Sequence, residues 1–248
     1  MNARAAAVDA PAAPGFSMEP VGETMLLLRF GERIDADVNA RVHAAADMLR
    51  RVEMPGLLDV IPAYATLALH YDAAFWAGRD GEPPWRHLAG TLSAVFATPP
   101  RGDAHEGRVV EIPVHYGDAH GADLDAVAAH AGLGVDEVIA RHAGTEYRVA
   151  MLGFAPGFPY LLGLDPALHM PRRAQPRTRV PRGSVAIGGA QTGIYPSELP
   201  GGWQLIGRTP LILFDAAREP PCLLLPGDRV RFRAIQASEF DALADGAT

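Results

Sequence analysis

The chain has 248 residues, of which 48% are apolar and 21% charged, and it carries a formal net charge of −7. That length holds one large domain or two small ones, with enough apolar material for a true core. The acidic balance argues against a general nucleic-acid or membrane-surface binder, and the single Cys222 excludes an intrachain disulfide and a thiolate zinc centre.

Residues 1–17 contain Asp9 and several prolines, so no secretory apolar core of about 7–15 residues forms there. They read as a disordered tail on a cytoplasmic protein. No apolar run approaches the roughly 18 residues of a membrane span. Thr24–Phe30 (TMLLLRF) predicts a strand ending at Gly31. Asp35 caps a predicted helix to about Arg51, with Val38, Val42, Ala45, Leu49 and Val52 on one face at 3- and 4-residue spacing. Leu57–Ile61 and Thr66–Tyr71 suit strands, and Trp85–Ala97 returns to helical spacing. This order predicts a small α/β domain over residues 18–98.

Thr98–Gly107 (TPPRGDAHEG) is rich in turn formers and marks a linker over 99–107. Beyond it, Arg108–Val114 reads as a strand, and short helices are expected at Asp123–Ala131 and Val135–His142. Glu146–Phe154 opens a series of short strands: Ser184–Ile187, Gln191–Tyr195, Trp203–Ile206, Leu211–Phe214 and Arg229–Ile235. Strands this short, punctuated by Gly and Pro, predict a closed barrel over 108–236, followed by a tail at 237–248. Pro200-Gly201-Gly202 fits a type II turn and Pro226-Gly227-Asp228 another tight turn.

Within Met151–Thr209, 59 residues include 8 prolines and 10 glycines, yet large apolar side chains sit among them. Such loops are shaped and packed rather than disordered. Five arginines fall between Arg172 and Arg182, and no Asp or Glu occurs from Pro166 to Ser197. This local positive field points to an anion-facing site. All 22 basic residues are arginine. Without lysine there is no Walker A lysine, Schiff base or biotin attachment point here. The nine histidines show no HxH, HxxH or HExxH spacing, so no protein-built metal centre is expected.

GFAPGFPYLLGL at 153–164, PRRAQPRTRVPRGSVAIGGAQTGIYP at 171–196 and PGGWQLIGRTP at 200–210 are long, specific motifs. With VGETMLLLRFGERIDADVNARV and IPAYATLALHYD earlier in the chain, they resemble the family containing the B-type subunit of 5-oxoprolinase, allophanate hydrolase subunit 1 and a sporulation-kinase inhibitor. The resemblance implies an α+β N-terminal domain followed by a cyclophilin-like β-barrel. It also implies a second barrel-type subunit (the C-type subunit of 5-oxoprolinase or allophanate hydrolase subunit 2), a third, A-type subunit, and ATP with Mg²⁺ at a site shared with or located on a partner. The implied reaction opens 5-oxo-L-proline to L-glutamate. Two alternatives stay open: a urea carboxylase or allophanate hydrolase role, and a non-catalytic inhibitor of a sensor histidine kinase.

Oxoproline is a lactam bearing a carboxylate, so arginine forks suit both its charge and that of a phosphoryl group. Arg172, Arg177 and Arg208, each beside a Pro or Gly turn, are the candidate anion contacts, with Arg177 placed in the catalytic group; rim or interface charges are the plainer reading. Gln191 and Thr192 follow Gly188-Gly189 and could address the lactam or merely stabilise a turn. Phe154, Phe158, Tyr195 and Trp203 could wall a pocket, with Phe154 and Trp203 read rather as barrel core. His142 is the candidate general base, or a helix C-cap.

Overall fold

The computed structural model describes residues 15–98, 100 and 107–246. It is a mixed α/β structure that divides into two compact units, one within residues 1–105 and one within 106–248. The proposed 99–107 linker and residues 1–14 of the tail lie outside the described residues, apart from Pro100 and Gly107.

The first unit is a four-stranded antiparallel sheet, Ser17–Val21 (β1), Met25–Arg29 (β2), Leu57–Pro62 (β3) and Thr66–Tyr71 (β4), in the order β1-β2-β4-β3. Alternation puts Leu26, Leu28, Leu67, Leu69 and Tyr71 on one buried face. Helices Ala36–Val52 (α1) and Pro84–Val95 (α2) supply Val42, Ala45, Leu49, Leu88 and Leu92 to the same core. Asp35 caps α1 as expected, accepting from the amides of Asp37 and Val38 at 2.9 Å each. Val52, at the end of the expected apolar face, is exposed. The tail expected over 1–17 is corrected at its end: Ser17 starts β1, and Phe16 is buried against the rings of Phe30 and Phe96.

The second unit is a closed seven-stranded barrel in the order β10-β7-β6-β13-β5-β12-β9. Its staves are Val109–Tyr116 (β5), Glu146–Leu152 (β6), Pro159–Leu162 (β7), Ser184–Gly188 (β9), Gln191–Ile194 (β10), Gln204–Arg208 (β12) and Arg229–Ala234 (β13). The last stave lies parallel to the first, Arg229 opposite Val109 through Ala234 opposite Val114. Helices Leu124–Ala131 (α3) and Val135–Ala143 (α4) add Val127 and Val138 to the barrel core. A separate ribbon pairs Arg177–Val180 (β8) with Leu199–Gly201 (β11).

Three expectations are corrected here. Leu211–Phe214 forms no strand, only an isolated bridge from Phe214 to Cys222. The turn expected at Pro200-Gly201-Gly202 begins inside β11, because the ribbon with β8 claims Pro200 and Gly201. Most of the expected tail at 237–248 is instead the helix Ala237–Asp245 (α5), which buries Phe240. Phe240 is the one side chain of this helix that is buried.

Candidate functional site

A cavity of about 310 Å³ opens on the barrel unit. Aromatic rings form its walls: Phe154, Phe158, Tyr160, Tyr195 and Trp203. Phe158 is the hub, edge-on to Tyr195 at 5.2 Å and to Trp203 at 5.6 Å, with interplanar angles of 89° and 88°. These are the arrangements that ring quadrupoles prefer. Glycine makes the packing possible. A Cβ on Gly188 would lie 2.5 Å from the Trp203 indole, so the ring can rest on β9 only where no side chain exists.

Arginines occupy the polar side. The Arg172 guanidinium lies over the Trp203 ring, 5.6 Å from its centroid, a cation–π contact that directs the side chain at the cavity. Among the described residues no carboxylate lies within ion-pair distance of Arg172. Arg173 and Arg177 are committed elsewhere. Both bind Asp123, which is only 5% exposed. Its carboxylate accepts from Arg173 Nη1 at 2.9 Å, from Arg177 Nη1 and Nη2 at 2.8 Å each, and from the Leu205 amide at 2.7 Å. Burial alone would raise the Asp123 pKa, but the bonds from Arg177 and Leu205 and the two arginine charges outweigh it and hold the carboxyl below its ordinary range. The Arg173 amide also donates to the Gly202 carbonyl at 2.7 Å, fixing the strand entry beside the cavity.

Of the residues taken from the sequence, Phe158, Arg172 and Tyr195 meet at this cavity. Trp203 joins them, buried and lining the site at once. Phe154 is corrected: it is 61% exposed at the cavity and belongs to no core. Arg177 stands on the β8 ribbon as the bidentate partner of Asp123. Arg208 lies on β12 opposite His115, with its Nε donating to the Arg182 carbonyl at 2.7 Å. Burial and the neighbouring Arg182 charge lower its pKa.

His142 and Thr192 are brought together, but inside the barrel. The Thr192 hydroxyl donates to the Ala186 carbonyl at 3.0 Å. His142 Nε2, 3.0 Å from that hydroxyl, then serves as its donor, and Nδ1 accepts from the Tyr116 hydroxyl at 2.8 Å. The imidazole is fully buried, stacks on Phe232 at 4.6 Å, and burial drives its pKa down to about 3. It stays neutral at physiological pH, with both nitrogens occupied. Gln191, beside Thr192 on β10, is buried and does not line the cavity.

Sequence reasoning missed Asp123 and Arg173. An Asp ahead of an apolar helix reads as an N-cap, but here the side chain makes no capping bond and turns to arginines 50 and 54 residues away. No local signal marks such a partnership.

A model of the carboxyltransferase domain, subdomain C and D, matches residues 16–224. The chain is 41% identical over 239 residues to the 5-oxoprolinase B subunit of Bacillus subtilis strain 168, covering 92% of this chain and 96% of that protein. Its likeness to the urea amidolyase of Saccharomyces cerevisiae is partial, 32% over 130 residues, half of this chain and 7% of the yeast protein. The crystal structure of TTHA0988 superposes with a TM-score of 0.74 at 44% identity, covering 86% of this chain but only 40% of that one. The near end-to-end correspondence in sequence and the shared fold decide the relationship: the chain belongs to the carboxyltransferase subdomain C and D family, among relatives that include the B subunit of 5-oxoprolinase.

Proposed function

We propose that this chain is the B subunit of an ATP-dependent 5-oxoprolinase, active in the cytoplasm together with partner subunits, and that the aromatic cavity holds the oxoproline. The reading is carried by the near full-length sequence likeness to 5-oxoprolinase B subunits, whereas the sequence match to the yeast urea amidolyase spans half of the chain. The two compact units serve, in this view, as an α/β domain and a cyclophilin-like barrel domain.

The chemistry of the cavity suits the compound. A five-membered lactam offers methylenes to aromatic walls and a carboxylate to Arg172, whose guanidinium has no acidic partner among the described residues. Opening the ring breaks the amide C–N bond and adds water across it. ATP with Mg²⁺ supplies the driving force for cleaving this unactivated amide. The described residues that line this cavity do not fit the nucleotide itself. The sequence has no lysine, and among the described residues no group of three or more His, Cys, Asp or Glu converges and the basic groups lining the cavity are Arg172 and Arg173. We therefore assign the nucleotide to a companion, a second barrel-type subunit with a third subunit beside it. TTHA0988, in which the matching region is 40% of a longer chain, is consistent with such a neighbour.

Reconstitution tests this reading. The purified chain alone is expected to be inert, and adding the companion subunits to give oxoproline-dependent ATP hydrolysis. Arg172→Ala should then lower kcat/KM by about tenfold or more, the worth of a charge-assisted hydrogen bond, with little change in Tm. A folded, complete assembly that turns over urea or allophanate and ignores oxoproline overturns the proposal.

A further inference from the structure

Phe154 combines an unfavourable backbone with an exposed ring. Its φ is +68°, a left-handed value that bulky residues avoid. The Ala155 amide donates to the Gly153 carbonyl at 2.8 Å, closing a three-residue γ-turn of the rare, strained, positive-φ kind around it. The loop imposes this conformation. The Gly153 amide reaches the Phe158 carbonyl at 3.2 Å, the Phe158 amide reaches the Ala155 carbonyl at 3.0 Å, and a Cβ on Gly157 would lie 2.8 Å from Phe214. Folding gains little from the ring in return, because it is 61% exposed and touches Phe158 and Tyr195 only edge-on, at 5.5 and 6.5 Å. Glycine would adopt the same turn without penalty. Strain of this sort, held by a braced loop at a cavity mouth, marks a functional position.

We propose that Phe154 is a specificity-determining residue whose ring covers the apolar face of the ligand in the cavity, selecting a saturated cyclic amide acid over flat, wholly polar amides. This rests on the reading of the cavity as the oxoproline site. Burying one methylene is worth about fourfold in affinity. Oxoproline has two ring methylenes and a methine to place against the ring, whereas urea and allophanate have no carbon-bound hydrogen. Arg172 can grip either acid; only an aromatic cover separates them.

The test compares Phe154→Gly and Phe154→Leu in the assembled enzyme and in the isolated chain. Phe154→Gly is expected to keep Tm or raise it by about 2–4 °C through relief of strain. It should also cut kcat/KM for oxoproline by about tenfold, mainly through KM. Phe154→Leu, which restores apolar cover, should recover most of that loss. Two results overturn the proposal: Phe154→Gly lowers Tm and leaves kcat/KM intact, so that the ring belongs to the fold, or it impairs co-elution with the companion subunits and leaves KM intact, so that the ring is a docking contact. Arg172→Ala separates the two layers. If it is damaging and Phe154→Gly is not, the ligand cover fails and the cavity stands; if neither variant matters, the cavity reading itself fails.

Discussion

Acid should weaken the barrel through His142, and replacing that residue by glutamine should remove the effect. The imidazole is fully buried and its pKa lies near 3, against about 6.5 in an unfolded chain. As pH falls below 6.5 the unfolded chain takes up the proton first, so stability is complete above that value and declines with acid until the folded pKa is passed. Between pH 7.5 and 5.5 the loss should reach about 1.4 kcal/mol, and about 2 kcal/mol by pH 5. His120 also has a pKa lowered by burial, but it contributes to wild type and variant alike. A glutamine amide can still lie between the hydroxyls of Tyr116 and Thr192, which are 2.8 and 3.0 Å from the imidazole. Urea denaturation at pH 7.5, 6.5 and 5.5, with hydrogen exchange of barrel peptides as readout, keeps the transition of the other unit from mixing in. If wild type and His142→Gln lose stability in parallel, the imidazole accepts its proton within the folded barrel and the argument fails. The same pair speaks to catalysis. With the ring buried and neutral, the kcat/KM pH profile of the assembled enzyme should show no inflection that vanishes in His142→Gln.

Asp123→Asn should cost about 3 kcal/mol, the lower end for a broken buried ion pair, since Arg173 and Arg177 can still reach water. Because the Asp123 pKa is depressed, the wild-type advantage should be full above about pH 4 and fade below it, which urea midpoints of the two proteins at pH 7 and pH 3 would reveal. An effect under about 0.5 kcal/mol at pH 7 would mean the pair is a surface contact. Gly188→Ala should displace Trp203, lowering stability by about 1–3 kcal/mol as overpacking does and reducing oxoproline turnover; an unchanged Tm and kcat/KM would refute the close approach.

The local architecture was legible because it is encoded locally. The 3- and 4-residue spacing from Val38 to Leu49, with Asp35 ahead of it, specifies α1 before any tertiary contact exists. The alternation in Thr66–Tyr71 does the same for β4. The short strands between Gly and Pro indicate a barrel, but Pro159–Leu162 opens on a proline and Arg177–Val180 has one apolar residue, so neither carries a strand signal of its own. Cys222 and the absence of lysine, too, need only the sequence to be known.

What the chain does with its arginines was decided by tertiary structure. Arg172, Arg173 and Arg177 lie within six positions and look alike in sequence, yet one rests on Trp203 facing the cavity and two are bound to Asp123. His142 looked like a base at a helix end, and closure of the barrel turned it into a neutral link between Tyr116 and Thr192. Sequence determines which side chains are present and how each segment tends to fold. Which charges are compensated, and which rings stay uncovered, depends on partners that can lie far apart in the chain, 50 and 54 positions for Asp123 and its arginines, and only packing brings those together.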